Sequence, residues 1–369
     1  MFQTHPLDLH EIRSRIASSL GRKDLASCAL VSRDWNDSFT PPLYSSVVLS
    51  KHGLSMESLE RNKHLIQRLS IYYSVNETPS WTSERDNIIS GVMTNSILTT
   101  MSLTDISIGD NKVQMLSEIL RTNSTLTTLD LSYNLIEADG AQALSDALKV
   151  NSTLTNLRLG HNTIGENGAL ALSKALQINL TLTTLDLKSN LIRDNGAQAL
   201  SEALKDNLTL ATLSLEANLI ESDGARALSE ALMINSTLNN LYLGRNSIGN
   251  YGAQALSEAL KVNSTLTTLD LLYNSIEDSG ARALFEALEI NLALTTLSLV
   301  ENSIGPSGVR VLPEALKINS TLTNLYLGRN FIGDYGAQAL SEALMTNSIL
   351  TTLDLSCNSI ERRRSSGVV

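Results

Sequence analysis

The sequence predicts an α/β solenoid: short parallel β-strands stacked as the inner face of a horseshoe, an α-helical outer face, and a small all-α module in front. Three observations predict it. Asparagine recurs every 28 residues, at Asn134, Asn162, Asn190, Asn218, Asn246, Asn274, Asn302, Asn330 and Asn358. A second unbroken series at the same period runs from Asn95 through Asn123 and Asn151 to Asn347. Leucine supplies 66 of the 369 residues while Phe, Trp and Tyr together supply 4%. A compact core of this length uses more aromatic bulk, whereas a thin repeated coil takes Leu and Ala.

Residues 5–48 do not carry the repeat. Leu9, Ile12, Ile16 and Leu20 form an apolar stripe at helical spacing, and after Gly21 come Leu25, Cys28, Leu30, Val31 and Trp35. Two or three short helices follow from this pattern, and so short a module is marginal alone and needs a surface to dock on. With Glu11-Ile12, Ile16, Leu20, Asp24-Leu25 and the run Val31-Ser-Arg-Asp-Trp35, the segment resembles an F-box. It departs from that pattern at His10, where proline usually precedes the glutamate, and at Arg13, where an apolar residue is common. The resemblance implies that Leu7, Leu9, Ile12, Ile16, Leu20, Leu25, Val31 and Trp35 bind the adaptor subunit of a cullin–RING ubiquitin ligase. The alternative is a helical cap that hides the apolar end of the first coil, as solenoids require.

Residues 49–94 are a linker and a degenerate capping repeat. Within them 66–71 (IQRLSI) has the strand pattern of the repeats, and Trp81 to Met93 is a candidate helix.

Residues 95–361 hold about ten units, the last incomplete. In each, a short strand is followed by a turn and a helix. At 126–131 the leucines face inward and Thr127, Thr128 and Asp130 face out. At 140–148 Leu144, Ala147 and Leu148 share one helical face, small enough to sit close to the strands, with Asp139 or a neighbour as the expected N-cap. The first asparagine series is expected beneath the turn after each strand, donating to one coil's carbonyl and accepting from the next coil's N–H, which aspartate and leucine cannot both do. The second series, as at Asn151, is expected to end each helix in the left-handed conformation. Strands stack about 4.8 Å apart and helices about 8–10 Å apart, so the strand side is concave, with an inner edge of roughly 43 Å for ten strands. The repeat, with its pattern L-x-x-L-x-L-x-x-N, resembles the leucine-rich repeats, specifically the 28-residue ribonuclease-inhibitor-like subfamily. The fold so implied is a leucine-rich-repeat solenoid.

A longer period overlies the shorter one. The pattern Asn-Leu-Xaa-Leu-Gly recurs at 156–160, 240–244 and 324–328, and residues 235–277 and 319–361 are identical at 35 of 43 positions. A block of three units was duplicated, so its surface recurs: Tyr242 and Arg245 return as Tyr326 and Arg329, and Arg158 and His161 hold the same places earlier. The concave face offers Tyr133, Arg158, His161, Tyr242, Arg245, Tyr273, Tyr326 and Arg329 to a protein partner, Tyr and Arg being the usual interface anchors.

Residues 362–369 are a basic tail read as a solvated end. After Ile360 no helical pattern completes the last coil.

The remaining function classes find little support. A net charge of −10 disfavours nucleic acid. No run of 18 apolar residues suggests a membrane span, and no signal-peptide pattern opens the chain. Cys28 and Cys357 make no disulfide framework and fit a reducing compartment, so a cytoplasmic or nuclear protein is expected. The five histidines stand at no metal-ligand spacing, no phosphate loop or nucleophile elbow occurs, and neither cofactor nor catalysis is expected. The aspartates Asp130, Asp186, Asp270 and Asp354 share one repeat position and read as a solvated ladder. The function that the F-box and leucine-rich-repeat resemblances imply is that of a substrate receptor of a cullin–RING ligase, binding a protein client on the concave face. The alternatives are a ribonuclease-inhibitor-type scaffold and, from the similarity of the repeats, a small-GTPase-activating protein of the Ran regulator type.

Overall fold

The computed structural model describes residues 45–49, 61–72, 89 and 91–360. The helical module expected at 5–48, with its adaptor-binding candidates, lies almost wholly outside the described residues, as does the tail.

Twelve parallel strands form one sheet in sequence order. They are β1 (Ser46–Leu49), β2 (Arg68–Tyr72), β3 (Thr100–Thr104), β4 (Thr128–Asp130), β5 (Asn156–Arg158), β6 (Thr184–Asp186), β7 (Thr212–Ser214), β8 (Asn240–Tyr242), β9 (Thr268–Asp270), β10 (Thr296–Ser298), β11 (Asn324–Tyr326) and β12 (Thr352–Asp354). From β3 onward each residue pairs with the one 28 positions away, as Leu157 does with Leu185. The sheet therefore starts upstream of residue 95. β2 falls on the degenerate repeat, and β1 is a strand at the edge of the segment read as all-helical.

Helices follow the strands from β3 onward: α1 (Asp110–Thr122), α2 (Ala138–Leu148), α3 (Gly165–Leu176), α4 (Arg193–Asp206), α5 (Ser222–Leu232), α6 (Gly249–Val262), α7 (Asp278–Leu288), α8 (Leu312–Ile318) and α9 (Gly333–Leu344). Leu126, Leu129, Leu131, Leu144 and Ala147 are fully buried, and their equivalents continue through the coils as one core. Neighbouring helices touch through a glycine in the first turn. At Gly168 a Cβ would lie 2.4 Å from Ile164 Cγ2 and 3.0 Å from Ala141 Cβ, so only hydrogen fits. Among the described residues Phe285 is the one aromatic ring in the core, standing where Ser257 stands a coil earlier. In the next coil Pro313 opens a short helix, α8, that begins late, at Leu312.

The first asparagine series is buried throughout and the second from Asn151 to Asn319, with Asn95, Asn123 and Asn347 half-buried, and the structure corrects the role expected of each. In the first, Asn162 donates through Nδ2 to Leu131 O (3.1 Å) and to Leu159 O (2.9 Å) of its own turn, and its Oδ1 accepts from Ile136 N (3.0 Å). Both inter-coil bonds reach the preceding coil rather than one to each neighbour. The second series does not end helices in a left-handed residue. Asn123, Asn207, Asn263 and Asn319 have φ between −66° and −74° with ψ near 128°. They too bridge coils. Asn235 Nδ2 donates to Leu204 O (2.7 Å) and Asn207 O (3.0 Å), while Oδ1 accepts from Thr237 N and Leu238 N. Extended backbone is what carries this side chain back beneath the previous helix end.

The expected N-cap is corrected as well. Asp139 lies in the first turn of α2 and caps nothing; instead Asp110 of the preceding coil accepts the Glu137 N–H at 2.8 Å. Asp194 does the same for Glu221 and Gly224 of the next coil.

Candidate protein-recognition surface

The inner face is built from two columns of side chains. The first is the last strand position: Asp130, Arg158, Asp186, Ser214, Tyr242, Asp270, Ser298, Tyr326 and Asp354. The second lies three residues on, immediately before each buried asparagine of the first series: Tyr133, His161, Ser189, Ala217, Arg245, Tyr273, Glu301, Arg329 and Cys357. Every member of this second column has a positive φ, between 52° and 59°. The chain must turn there to bury both the leucine after the strand and the asparagine, and the left-handed conformation achieves this within three residues. It costs a non-glycine residue roughly 1–2 kcal/mol. The conformation is held by a bond to the next coil, as Tyr133 N donates to Gly160 O at 2.8 Å and Arg245 N to Leu272 O at 2.7 Å.

The eight predicted partner residues thus divide between the columns. Arg158, Tyr242 and Tyr326 end strands, while Tyr133, His161, Arg245, Tyr273 and Arg329 ride on the left-handed ridge. Tyr133 and His161, from adjacent coils, stack with ring centroids 4.1 Å apart and planes inclined by 9°. Tyr133 and Tyr273 remain more than half exposed. The cations are steadied by acids of neighbouring coils. Arg158 lies 4.0 Å from Asp130, Lys188 is 2.9 Å from Glu216, Arg245 is 3.5 Å from Glu216, and Arg329 pairs with Glu301. Surface pairs of this kind contribute only about 0–1 kcal/mol, so they orient the cations without committing them.

The aspartates are not simply solvated. Asp130, Asp186, Asp270 and Asp354 each accept the N–H two residues ahead, at 2.8–3.0 Å, and so shape the turn into the ridge. Burial raises the Asp270 carboxyl above its ordinary range; the Leu272 N–H and Ser298 hydroxyl oppose the shift, nearby Glu216 adds to it, and Lys188 opposes it.

Two exposed apolar features escaped the sequence reading. Leu135 and Phe331, each following a buried asparagine, flank the ridge, and Phe331 joins Tyr273, Glu301 and Arg329 around a shallow open groove. An exposed aliphatic row also runs along the edge where helices return to strands. Reading each column at the 28-residue period for exposed as well as buried leucines would have found both. Among the described residues no three His, Cys, Asp or Glu side chains come together to hold a metal, and no helix is long and apolar enough to cross a membrane.

The repeating strand, ridge and helix can be compared with known proteins. A family model described as Leucine Rich repeat matches residues 122–145, 150–173, 179–201, 235–257, 262–285, 319–341 and 346–361. The matched segments carry the leucine-rich-repeat pattern, and the strand-and-helix coil is that of a leucine-rich-repeat solenoid. The two unmatched leucine-rich stretches, 202–234 and 286–318, lie 84 residues apart, in step with the longer period. No curated protein sequence matches the chain. Among solved structures the chain is similar to an internalin from Listeria monocytogenes (20% identity, TM-score 0.42, covering 97% of this chain and 91% of that one). It is also similar to the actin-binding site 2 of leiomodin-1 (24% identity, TM-score 0.36, 42% and 88%). A third likeness is to the tropomodulin C-terminal domain of Caenorhabditis elegans (15% identity, TM-score 0.35, 42% and 93%).

Proposed function

We propose that this leucine-rich-repeat protein is a non-enzymatic recognition subunit. It holds a protein client on the inner ridge, while residues 5–48 join it to the adaptor of a cullin–RING ubiquitin ligase. The observation that supports client binding is the ridge itself. It presents Tyr and Arg side chains on backbone fixed by inter-coil hydrogen bonds, so little ordering entropy is lost when they are covered. Adaptor binding rests on the F-box-like residues between Leu7 and Trp35.

The test is affinity purification of the full chain beside a variant lacking residues 1–44. The proposal expects the adaptor to be lost with the deletion and the client to be kept. Adaptor absent from both, with client present in both, leaves the recognition role and removes the ligase role. A second reading, a scaffold whose amino-terminal segment is only a cap, is favoured by β1, which carries the sheet into the end of that segment at residues 46–48. It expects Trp35→Ala to lower the melting temperature without changing any ligase association.

A further inference from the structure

Val150, Ile178, Ile234, Val262, Ile290 and Ile318 occupy one repeat position, beside the buried asparagines of the second series. All are 56–64% exposed. The inner ridge is elsewhere, so this row is a second surface. Its side chains stand on rigid ground. Two residues upstream is a buried helical leucine, and one residue downstream an asparagine tied to the preceding coil, as Leu232 and Asn235 are beside Ile234. Nothing in helix propensity favours β-branched residues at an exposed helix end. The same position accepts Thr122, Asp206 and Thr346 elsewhere, so the coil does not require an apolar residue there. Leu180, Leu208 and Leu292, two residues further on, are 65–67% exposed and widen the row.

We infer that this edge is an interface with a second copy of the chain, packed antiparallel about a two-fold axis at the Ile234 coil. Area supports it. An exposed Val, Leu or Ile contributes on the order of 100 Å² of apolar surface. Nine of them give about 900 Å², more than the roughly 300–600 Å² of the largest apolar patch on an ordinary monomer. That figure also meets the roughly 800 Å² each partner brings to a stable interface. Spacing identifies the occupant. The row is curved and rises by one coil per residue, and a second copy turned by the two-fold has the same rise and the same curvature, so every coil meets a coil. Val150 then lies opposite Ile318, Ile178 opposite Ile290, and Ile234 opposite itself. Charge agrees. The lysines flanking the row, Lys149, Lys205, Lys261 and Lys317, each pair with a carboxylate three residues upstream, which leaves the edge close to neutral despite the chain's net charge of −10.

Sedimentation velocity on the full chain, from low to high micromolar, tests the inference. The expected result is a monomer–dimer equilibrium that tightens with added salt, since salt screens the repulsion between two acidic chains without weakening an apolar contact. Ile234→Asp should raise the dissociation constant at least about tenfold and leave the far-UV circular dichroism melt unchanged. In a background with Cys28 and Cys357 replaced by serine, Ile234→Cys should form a disulfide-linked dimer on oxidation. Val150→Cys should link to Ile318→Cys and not to itself. A chain that is monomeric throughout, or a dimer indifferent to Ile234→Asp, overturns the inference. So does dimerisation that appears only when residues 1–44 are removed, because the row is then covered by the chain's own amino-terminal segment.

Discussion

At the scale of single residues, the fold is held by asparagines, most of them buried, whose amides bond from coil to coil. Asn218 has no exposed surface; it donates to Leu187 O at 2.8 Å and accepts from Asn190 N at 2.8 Å and Ile192 N at 3.2 Å. Asn218→Leu strands groups on two coils at once. Each buried group left without a partner costs about 1–3 kcal/mol, so chemical denaturation should show a loss of about 3 kcal/mol or more. The existence of both series was legible because the period is unbroken. The direction of their bonds was not, because a spacing of 28 residues is the same toward the preceding coil as toward the next. Asp270 gives a pH signature. Its carboxyl is raised above the ordinary value of 3.8 by burial, so the protonated form is the one the fold favours. The stability it contributes is full below that value and is lost as pH rises through the raised one. Asp270→Asn, which keeps an acceptor for Leu272 N–H, should therefore be the more stable chain at neutral pH. The two melting temperatures should converge in acid below 3.8.

At the scale of elements, strand and helix positions were readable from the switch of period within each unit. The left-handed ridge was not. Its occupants include Tyr, His, Ser, Ala, Arg, Glu and Cys, and no glycine or other residue preference marks the turn. The eight candidate side chains all fall on the inner face, yet their division into two columns depends on that turn and could not be read from alternation. Helix starts were misread for a related reason. A cap is sought within three residues of the helix, but here it comes from 27 residues earlier, through Asp110 and Asp194. The two accounts separate experimentally. Asp194→Ala removes bonds to Glu221 N and Gly224 N and should cost about 1 kcal/mol. Asp139→Ala should change stability by a few tenths, about 0.3–0.5 kcal/mol, through the helix dipole alone. Equal losses in thermal melts of the two variants would restore the local cap.

At the scale of the molecule, each coil can bury its strand and helix only against its neighbours, which is why the leucines are many, the core rings few and the sheet unbroken over twelve strands. That same arrangement frees one face of the sheet from any structural duty beyond the aspartate turns, and the Tyr and Arg side chains gather there. The longer period repeats the face, so on the proposed reading Tyr242 with Arg245 and Tyr326 with Arg329 would give a client two similar holds three coils apart. The central claim is that this ridge, and not the outer helices, recognises the client. It is tested most directly by comparing client binding of the full chain with that of one carrying Tyr242→Ser, Arg245→Ser, Tyr326→Ser and Arg329→Ser. All four sites are solvent-accessible on the inner face, so the melting temperature should hold while affinity for the captured client falls at least about a hundredfold, as the loss of several anchors requires. A client bound as tightly by the substituted chain as by the original would contradict the account.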